Sequence, residues 1–350
     1  MKKYIFIISI FFISCQEEIT LDISSGENKL VVEGAIENGY PPYVILTKNQ
    51  GYFDPVNSET YTNLFEMSVD SIKVWYIDEN GSKINKPLEL LDPQISETFI
   101  GEAIPLYTVN ENELTEAIIK PGEYNFSKAG RTYFLEIKWN GQTITSTTTI
   151  PNPTPLDCLW VKQTEDFEDK DFKCEIRAIY SDPADVQNNI LIRSKRTQHY
   201  TIKDSVECEI ESDPDRSLKL VDAGADVLIN GETFETYFPR PGDGGFPTGK
   251  YNSSRYKNCN NGNDSIRIPN DVVLIKFCQI DEPSLKFWRS LVRQFGTNGN
   301  PFSEPMNLVT NIDNGLGVWT GYGATYYKVP IIKDTVIFNM NQDPNILNIF

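Results

Sequence analysis

Residues 132–149 read TYFLEIKW, then NG, then QTITSTTT. Tyr133, Leu135 and Ile137 alternate with Phe134, Glu136 and Lys138, a period of two that sends one set inward and the other to solvent. Asn140-Gly141 is the dipeptide of a two-residue type I′ turn, in which both central residues take positive φ and match the twist of the flanking strands. The return run is rich in β-branched threonine, which is stiff at χ1 and fits a pleated surface better than a helix. A chain carrying this signal must fold here as a β-hairpin.

Shorter runs of the same kind surround it. Residues 30–34 and 43–47 are β-branched and aromatic, divided by Asn38-Gly39 and Pro41-Pro42, which reads as strand, turn, strand. In 71–77, Ile72, Val74 and Tyr76 face one side, and residues 78–82 close the run with turn chemistry. Residues 121–126 are expected to add a short strand. Strands at this spacing, with almost no helical period, predict an immunoglobulin-like β-sandwich over 29–150. Pro151-Asn152-Pro153-Thr154-Pro155 follows, and alternate prolines favour an extended, semi-rigid spacer. A linker is therefore expected at 151–155.

Beyond it, 171–183, 188–200, 204–212 and 271–281 are alternating or β-branched enough for strands, and the Gly-, Pro- and Asn-rich residues 239–265 are expected to form a long surface excursion. The one convincing helix is 283–295. Leu285, Trp288, Leu291, Val292 and Phe295 recur on one face, with Pro283 in the first turn and Gly296 at the stop. The fold class is thus mainly β, with two β-sandwich (immunoglobulin-like) domains, the second spanning 156–350 and carrying one covering α-helix. At 350 residues the chain exceeds what one core comfortably serves, which agrees with two domains. Its 17 Tyr and 19 Phe exclude extended disorder.

The chain opens Met1-Lys2-Lys3, followed by an apolar run to Ser14. Two positive charges before a short apolar stretch make a secretory signal, 1–14, too short for a span that needs ~20 residues. Phe12-Ile13-Ser14-Cys15 resembles a bacterial lipobox, although Phe12 stands where leucine is favoured. Cleavage before Cys15 and acylation there would leave residues 15–28 as a lipidated tether, several acyl chains being more than durable anchoring needs. The alternative, ordinary cleavage to a soluble secreted protein, lacks its A-x-A type site. Gln16-Glu17-Glu18 resembles the acidic export signal of Bacteroidetes surface lipoproteins. The net charge of −17 repels nucleic acid and anionic headgroups, so membrane attachment would come through the lipid. Cys158, Cys174, Cys208, Cys259 and Cys278 remain, an odd number with no zinc spacing. Buried thiols or one or two disulfides are expected, with no metal.

Three blocks carry a wider resemblance: LVVEGAIENGYPPYVILTKNQGYF, IPNPTPLD and NPFSEPMNLVTNIDNGLGVWTGYG. Together, and in this order, they are similar to the DUF4249 family of Bacteroidetes lipoproteins, across nearly the whole mature chain. The resemblance implies an outer-membrane lipoprotein, often encoded beside TonB-dependent receptors of the nutrient-uptake type, and so an accessory at the receptor's outer mouth. It carries over no catalytic residue and no cofactor. A structural or assembly subunit of an outer-membrane complex is the alternative function. The residues of the third block add their own reading. Gly315, Gly317, Gly321 and Gly323 around Trp319 and Tyr322 permit tight backbone turns. The two rings are either exposed, and candidates to stack on a sugar or grip a peptide or receptor loop, or they fill the second core.

Catalytic signatures are missing. His199 is the only histidine, and no G-x-S-x-G, H-E-x-x-H or P-loop accompanies it. The acidic residues around 165–171 and 211–215 lack an EF-hand pattern and read as solvated loops. Four D-[S/T]-aliphatic triplets, beginning at Asp70, Asp204, Asp264 and Asp334, resemble Bacteroidetes O-glycosylation sites. Acidic turns entering strands would produce the same triplets. The expectation is a non-catalytic binding protein.

Overall fold

The computed structural model describes residues 28–49, 63–100, 104–163, 174–184, 186–201, 210–214, 218–225, 230–238, 255–259, 264–297, 308–332 and 336–337. In the first part of the chain these form β1 (Leu30–Glu37), β2 (Tyr43–Lys48), β3 (Ser71–Ile77), β4 (Lys83–Leu90), α1 (Pro93–Ile100), β5 (Tyr107–Thr108), α2 (Glu111–Ile119), β6 (Thr132–Trp139) and β7 (Gln142–Thr149). After the prolines come β8 (Cys158–Gln163), β9 (Cys174–Ser181), β10 (Asn189–Thr201), β11 (Ile210–Pro214), β12 (Lys219–Ala225) and β13 (Thr233–Phe238). Then follow β14 (Arg255–Cys259), β15 (Asp264–Ile268), β16 (Val272–Gln279), α3 (Glu282–Thr297), β17 (Ile312–Asp313), β18 (Leu316–Pro330) and β19 (Val336–Ile337).

The chain is mainly β, as its alternation requires. The β6–β7 hairpin pairs Trp139 with Gln142, and Asn140 and Gly141 take φ of 48° and 74°, the two positive values of the type I′ turn. Tyr133, Leu135, Ile137 and Ile144 are buried, so register and hydrophobic pattern agree.

Three details differ from expectation. Residues 121–126 form no strand. They turn, and Tyr124 makes one isolated bridge to Gly39. Of residues 239–265, expected as a surface excursion, only 255–259 and 264–265 are described, and they form β14 and the start of its antiparallel partner β15. The first part of the chain also contains two short helices where only strands were expected. Helix α2 has a local cause: the Asn110 side chain accepts from the Glu113 N–H, 3.0 Å, and donates to the Glu113 carboxylate, 2.9 Å. The first bond is an N-cap, which satisfies a backbone donor no helix can pair internally, and the second holds the capping side chain in place.

One hydrogen-bonded path runs β11-β10-β16-β18-β1-β2-β5-β4-β3-β6-β7-β17, with β12 also on β10. A smaller sheet is ordered β13-β9-β8-β19. The long strand β18 links the two parts of the chain. Its residues 316–322 run parallel to β1, from Val31↔Leu316 to Glu37↔Tyr322. Its residues 323–330 run antiparallel to β16, from Gln279↔Gly323 to Val272↔Pro330. The strand thus passes from one partner to the other between Tyr322 and Gly323.

Packing continues across the prolines as well. One buried cluster joins Val32, Leu46, Leu135 and Ile144 to Leu191, Cys278, Trp288 and Trp319. A second holds Leu159, Val161, Ile176 and Ala178 against Ile275, Phe277, Tyr327 and Val329. Strands β16 and β18 therefore supply residues to both clusters, one from each face. That is why VVLIKFCQ reads as a continuous apolar run and not as an alternation. Residues 151–155, expected as a spacer, are packed: Thr154 donates its N–H to Gln279 Oε1, 2.8 Å, and the Gln279 amide returns a bond to Thr154 O, 3.1 Å.

Helix α3 covers the second part, as expected, and extends from 282 to 297. Asp281 caps it by accepting from Ser284 N–H at 3.1 Å. Leu285 and Trp288 are buried on its inner face, joined by Phe287, which the helical spacing had not singled out. The Phe295 side chain lies outside the described residues.

Candidate functional site

Trp319 and Tyr322 both lie in the interior, at 0 % and 2 % exposure. Of the two readings of these rings, packing is the one their position matches. The glycines beside them serve backbone crossings. A Cβ on Gly317, whose φ is +99°, would stand 2.0 Å from Val32 O, and one on Gly323 would stand 2.2 Å from Pro151 O. Gly321 meets Thr149 O in the same way. The end of β7 and the prolines therefore cross β18 at backbone contact, which only glycine allows. Asn311 completes the motif: its side chain pairs with both Trp319 N, 2.9 Å, and Trp319 O, 2.8 Å, as a neighbouring strand would.

Around Tyr322 is a cluster of buried charge that the sequence did not single out. Lys276 on β16 is 0 % exposed, and its Nζ lies 2.5 Å from Oε2 of Glu37 on β1. Tyr326 donates its hydroxyl to the other Glu37 oxygen, also at 2.5 Å. The ammonium sits 4.7 Å from the Tyr322 ring centroid. Arg193 on β10, buried, holds its guanidinium 4.6 Å from the Trp288 ring centre, and its Nε has no hydrogen-bond partner. Burial pushes Tyr322 and Tyr326 above the ordinary phenol value and raises the Cys278 thiol to about 12. These groups keep their protons at neutral pH, so they are poor bases and nucleophiles there. What the cluster does is tie β1 to β16 and β18 across more than 200 residues of sequence.

The remaining candidates resolve simply. Cys15 and the acidic residues of 165–171 lie outside the described residues. The His199 backbone N–H donates to Asp271, 3.0 Å, whose carboxylate also pairs with Arg196 at 2.6 Å. Among the described residues, no group of three or more His, Cys, Asp or Glu is placed to hold a metal, and no helix is long and apolar enough to cross a membrane. Cys158 and Cys278 are free thiols.

The cavities among the described residues include three at the surface. One, about 540 Å³, is a groove beside the prolines. Residues 149–152, Thr154, Pro183, residues 186–189 and the turn 279–282 line it, so it lies where the two parts of the chain meet. A second, about 240 Å³, lies beside α2, where Glu113 is already satisfied by Lys86, Tyr124 and Asn110. The third, about 140 Å³, lies between β12 and β13.

The model of a family described as "Domain of unknown function (DUF4249)" matches residues 16–328. The chain belongs to this family. The match includes β1, the proline segment, α3 and nearly all of β18, so the shared strand and the crossing glycines fall within the DUF4249 region. No curated protein matches the chain.

Proposed function

We propose that this DUF4249 protein is a lipid-anchored outer-membrane protein, exposed at the cell surface, acting as a non-catalytic binding partner of a TonB-dependent receptor in nutrient uptake. The observation that carries the reading is Lys2-Lys3, the apolar run and Cys15 in immediate succession. Acyl chains on Cys15 would supply the membrane affinity that a net charge of −17 cannot. The acidic tether Gln16-Glu17-Glu18 supports export to the outer face. The inert thiol of Cys278 supports binding over catalysis.

Two measurements test it. Cys15→Ala should abolish lipid labelling and release the protein from the washed envelope; retention equal to wild type refutes the anchor. Detergent extraction of native membranes, followed by identification of what co-purifies, tests the partner. An uptake receptor is expected. Recovery of assembly machinery instead would make the protein a structural subunit of that complex.

A further inference from the structure

We propose that the slot between β12 and β13 receives a strand-forming segment of a partner protein. The segment adds to the free edge of β13, sinks one aromatic side chain between the sheets, and sets a basic side chain two residues away against Asp222. The inference deepens the binding reading above, naming the chemistry of the partner, and rests on it.

The slot, about 140 Å³, is where the second buried cluster reaches the surface. Tyr180 and Phe277, both buried, form its floor, and Ile190, Ile192 and Phe234 wall it. Its cause lies in β12. Gly224 stands opposite Ile190, and Asp222 opposite Ile192. Directly opposed residues share a face, so these two occupy the face that Ile190 and Ile192 turn to the second cluster. Neither fills it: a Cβ on Gly224 would meet nothing within 4 Å, and Asp222 is exposed. The sandwich therefore lacks an apolar side chain at this edge. A dry apolar cavity of ~150 Å³ takes up benzene, so one phenyl-sized group fits. The Tyr180 ring meets Phe277 at 5.4 Å and 61° and Phe234 at 5.7 Å and 76°. An inserted ring would extend that edge-to-face packing. The Tyr180 hydroxyl donates to Asp182, 3.0 Å, so it asks nothing of the occupant.

The rim calls for a peptide backbone. Among the described residues β13 pairs only with β9, and β12 only with β10. Asp182 donates its N–H to Glu232 O, 3.0 Å, which sets the phase of the β9–β13 ladder. Thr233, Glu235 and Tyr237 accordingly turn their N–H and C=O groups away from β9. None of the three makes a backbone bond to a further segment among the described residues. Such an edge is a template for an added strand, whose inward side chains would stand beside Phe234 and Thr236 at the slot. A small apolar molecule would fill the slot and leave the edge to water.

Charge completes the match. Asp222 accepts the Ala223 N–H on Oδ1, 2.8 Å, and its carboxylate makes no ion pair among the described residues. Glu235, on the other rim, is already paired with Arg177. Asp222 and Gly224 are two residues apart on one face, the spacing at which a strand repeats its own side chains. A basic residue two positions from the inserted ring therefore reaches Asp222, in a chain whose net charge of −17 already favours a cationic partner.

The test titrates the full chain in detergent by calorimetry with end-blocked Thr-Phe-Thr-Lys-Thr, its reverse Thr-Lys-Thr-Phe-Thr, and benzylamine. One of the two peptides is expected to bind. Replacing its Phe by Ala should weaken binding about tenfold or more, and replacing its Lys by Glu about fivefold. Methylating alternate backbone nitrogens should abolish binding in one phase and spare it in the other, since a strand turns alternate N–H groups to its neighbour. Gly224→Leu, which fills the slot from within, should weaken binding about tenfold or more. Asp222→Lys, at an exposed position, should remove or reverse the charge preference, and it tests the site independently should Gly224→Leu fail to fold. The proposal is overturned by no binding of either peptide up to about 10 mM, by tighter binding of benzylamine, by equal effects of the two methylation phases, or by folded variants that bind as wild type does. Such a result leaves membrane anchoring through Cys15 and receptor co-purification standing, because neither measurement depends on the slot.

Discussion

Replacing Lys276 with methionine isolates the energetics of the buried cluster. Methionine keeps most of the side-chain volume, so the change removes a charge more than it opens a cavity. Glu37, 3 % exposed, then keeps the Tyr326 hydrogen bond but loses its counter-ion. Breaking a buried pair by removing one partner costs about 3–5 kcal/mol, because the other charge is left uncompensated in a low-dielectric interior. A chain of this size has a urea slope of about 3–4 kcal/mol per molar, so the midpoint should fall by about 1 M. Tryptophan fluorescence reports the transition directly, since Trp288 and Trp319 lie in the core that both parts of the chain share. The double variant Glu37→Gln/Lys276→Met removes both charges and retains an acceptor for Tyr326. It should lose less than Lys276→Met alone, since a neutral polar pair is much cheaper to bury than a lone carboxylate. A single variant within about 1 kcal/mol of wild type, or a double variant equal to the sum of the singles, refutes the reasoning.

Three further outcomes follow from other contacts. Gly323→Ala places a Cβ 2.2 Å from Pro151 O, a backbone clash that no rotamer relieves. It should cost more than the ~1–3 kcal/mol of ordinary overpacking and reduce soluble yield, whereas Gly224→Ala meets nothing within 4 Å and should unfold at the wild-type temperature. Asp281→Ala removes the α3 cap and the acceptor for Thr149 N, for a combined loss of about 2–4 kcal/mol by denaturant titration, and Asp281→Asn should recover part of it. For Glu66, burial raises the carboxyl pKa, but hydrogen bonds from Ser68 N–H, Lys48 and Trp139 outweigh it and hold the group below its usual value. Glu113 is likewise held down by Lys86 and Tyr124 against burial. A depressed folded-state pKa gives stability that is present above the unfolded value, near 4.3, and is lost as pH falls through the folded one. The denaturation midpoint should therefore drop below about pH 4.5, and the drop should be shallower in Lys48→Ala/Lys86→Ala. An equal slope in that variant would show that other carboxylates dominate.

Much of the local structure could be read from neighbouring residues. Asn140-Gly141 specified a turn because its φ requirement is met within two residues. The α3 stripe was legible because Leu285 and Trp288 repeat at helical spacing. The cap of α2 was legible in principle too, as Asn110 followed three residues later by Glu113, but the helix is only nine residues long and its apolar period is weak. The short segment 121–126 looked extended from composition, and its neighbours folded it into a turn instead.

The sequence by itself determined the β character, the hairpin, the covering helix and the lipobox-like start, because each depends on residues within about a dozen positions of one another. Only the tertiary structure decided that β18 serves two partners, that Trp319 and Tyr322 point inward, and that Lys276 meets Glu37. Parallel pairing and burial on both faces leave no periodic trace, since they join positions hundreds of residues apart and replace alternation with a uniform apolar run.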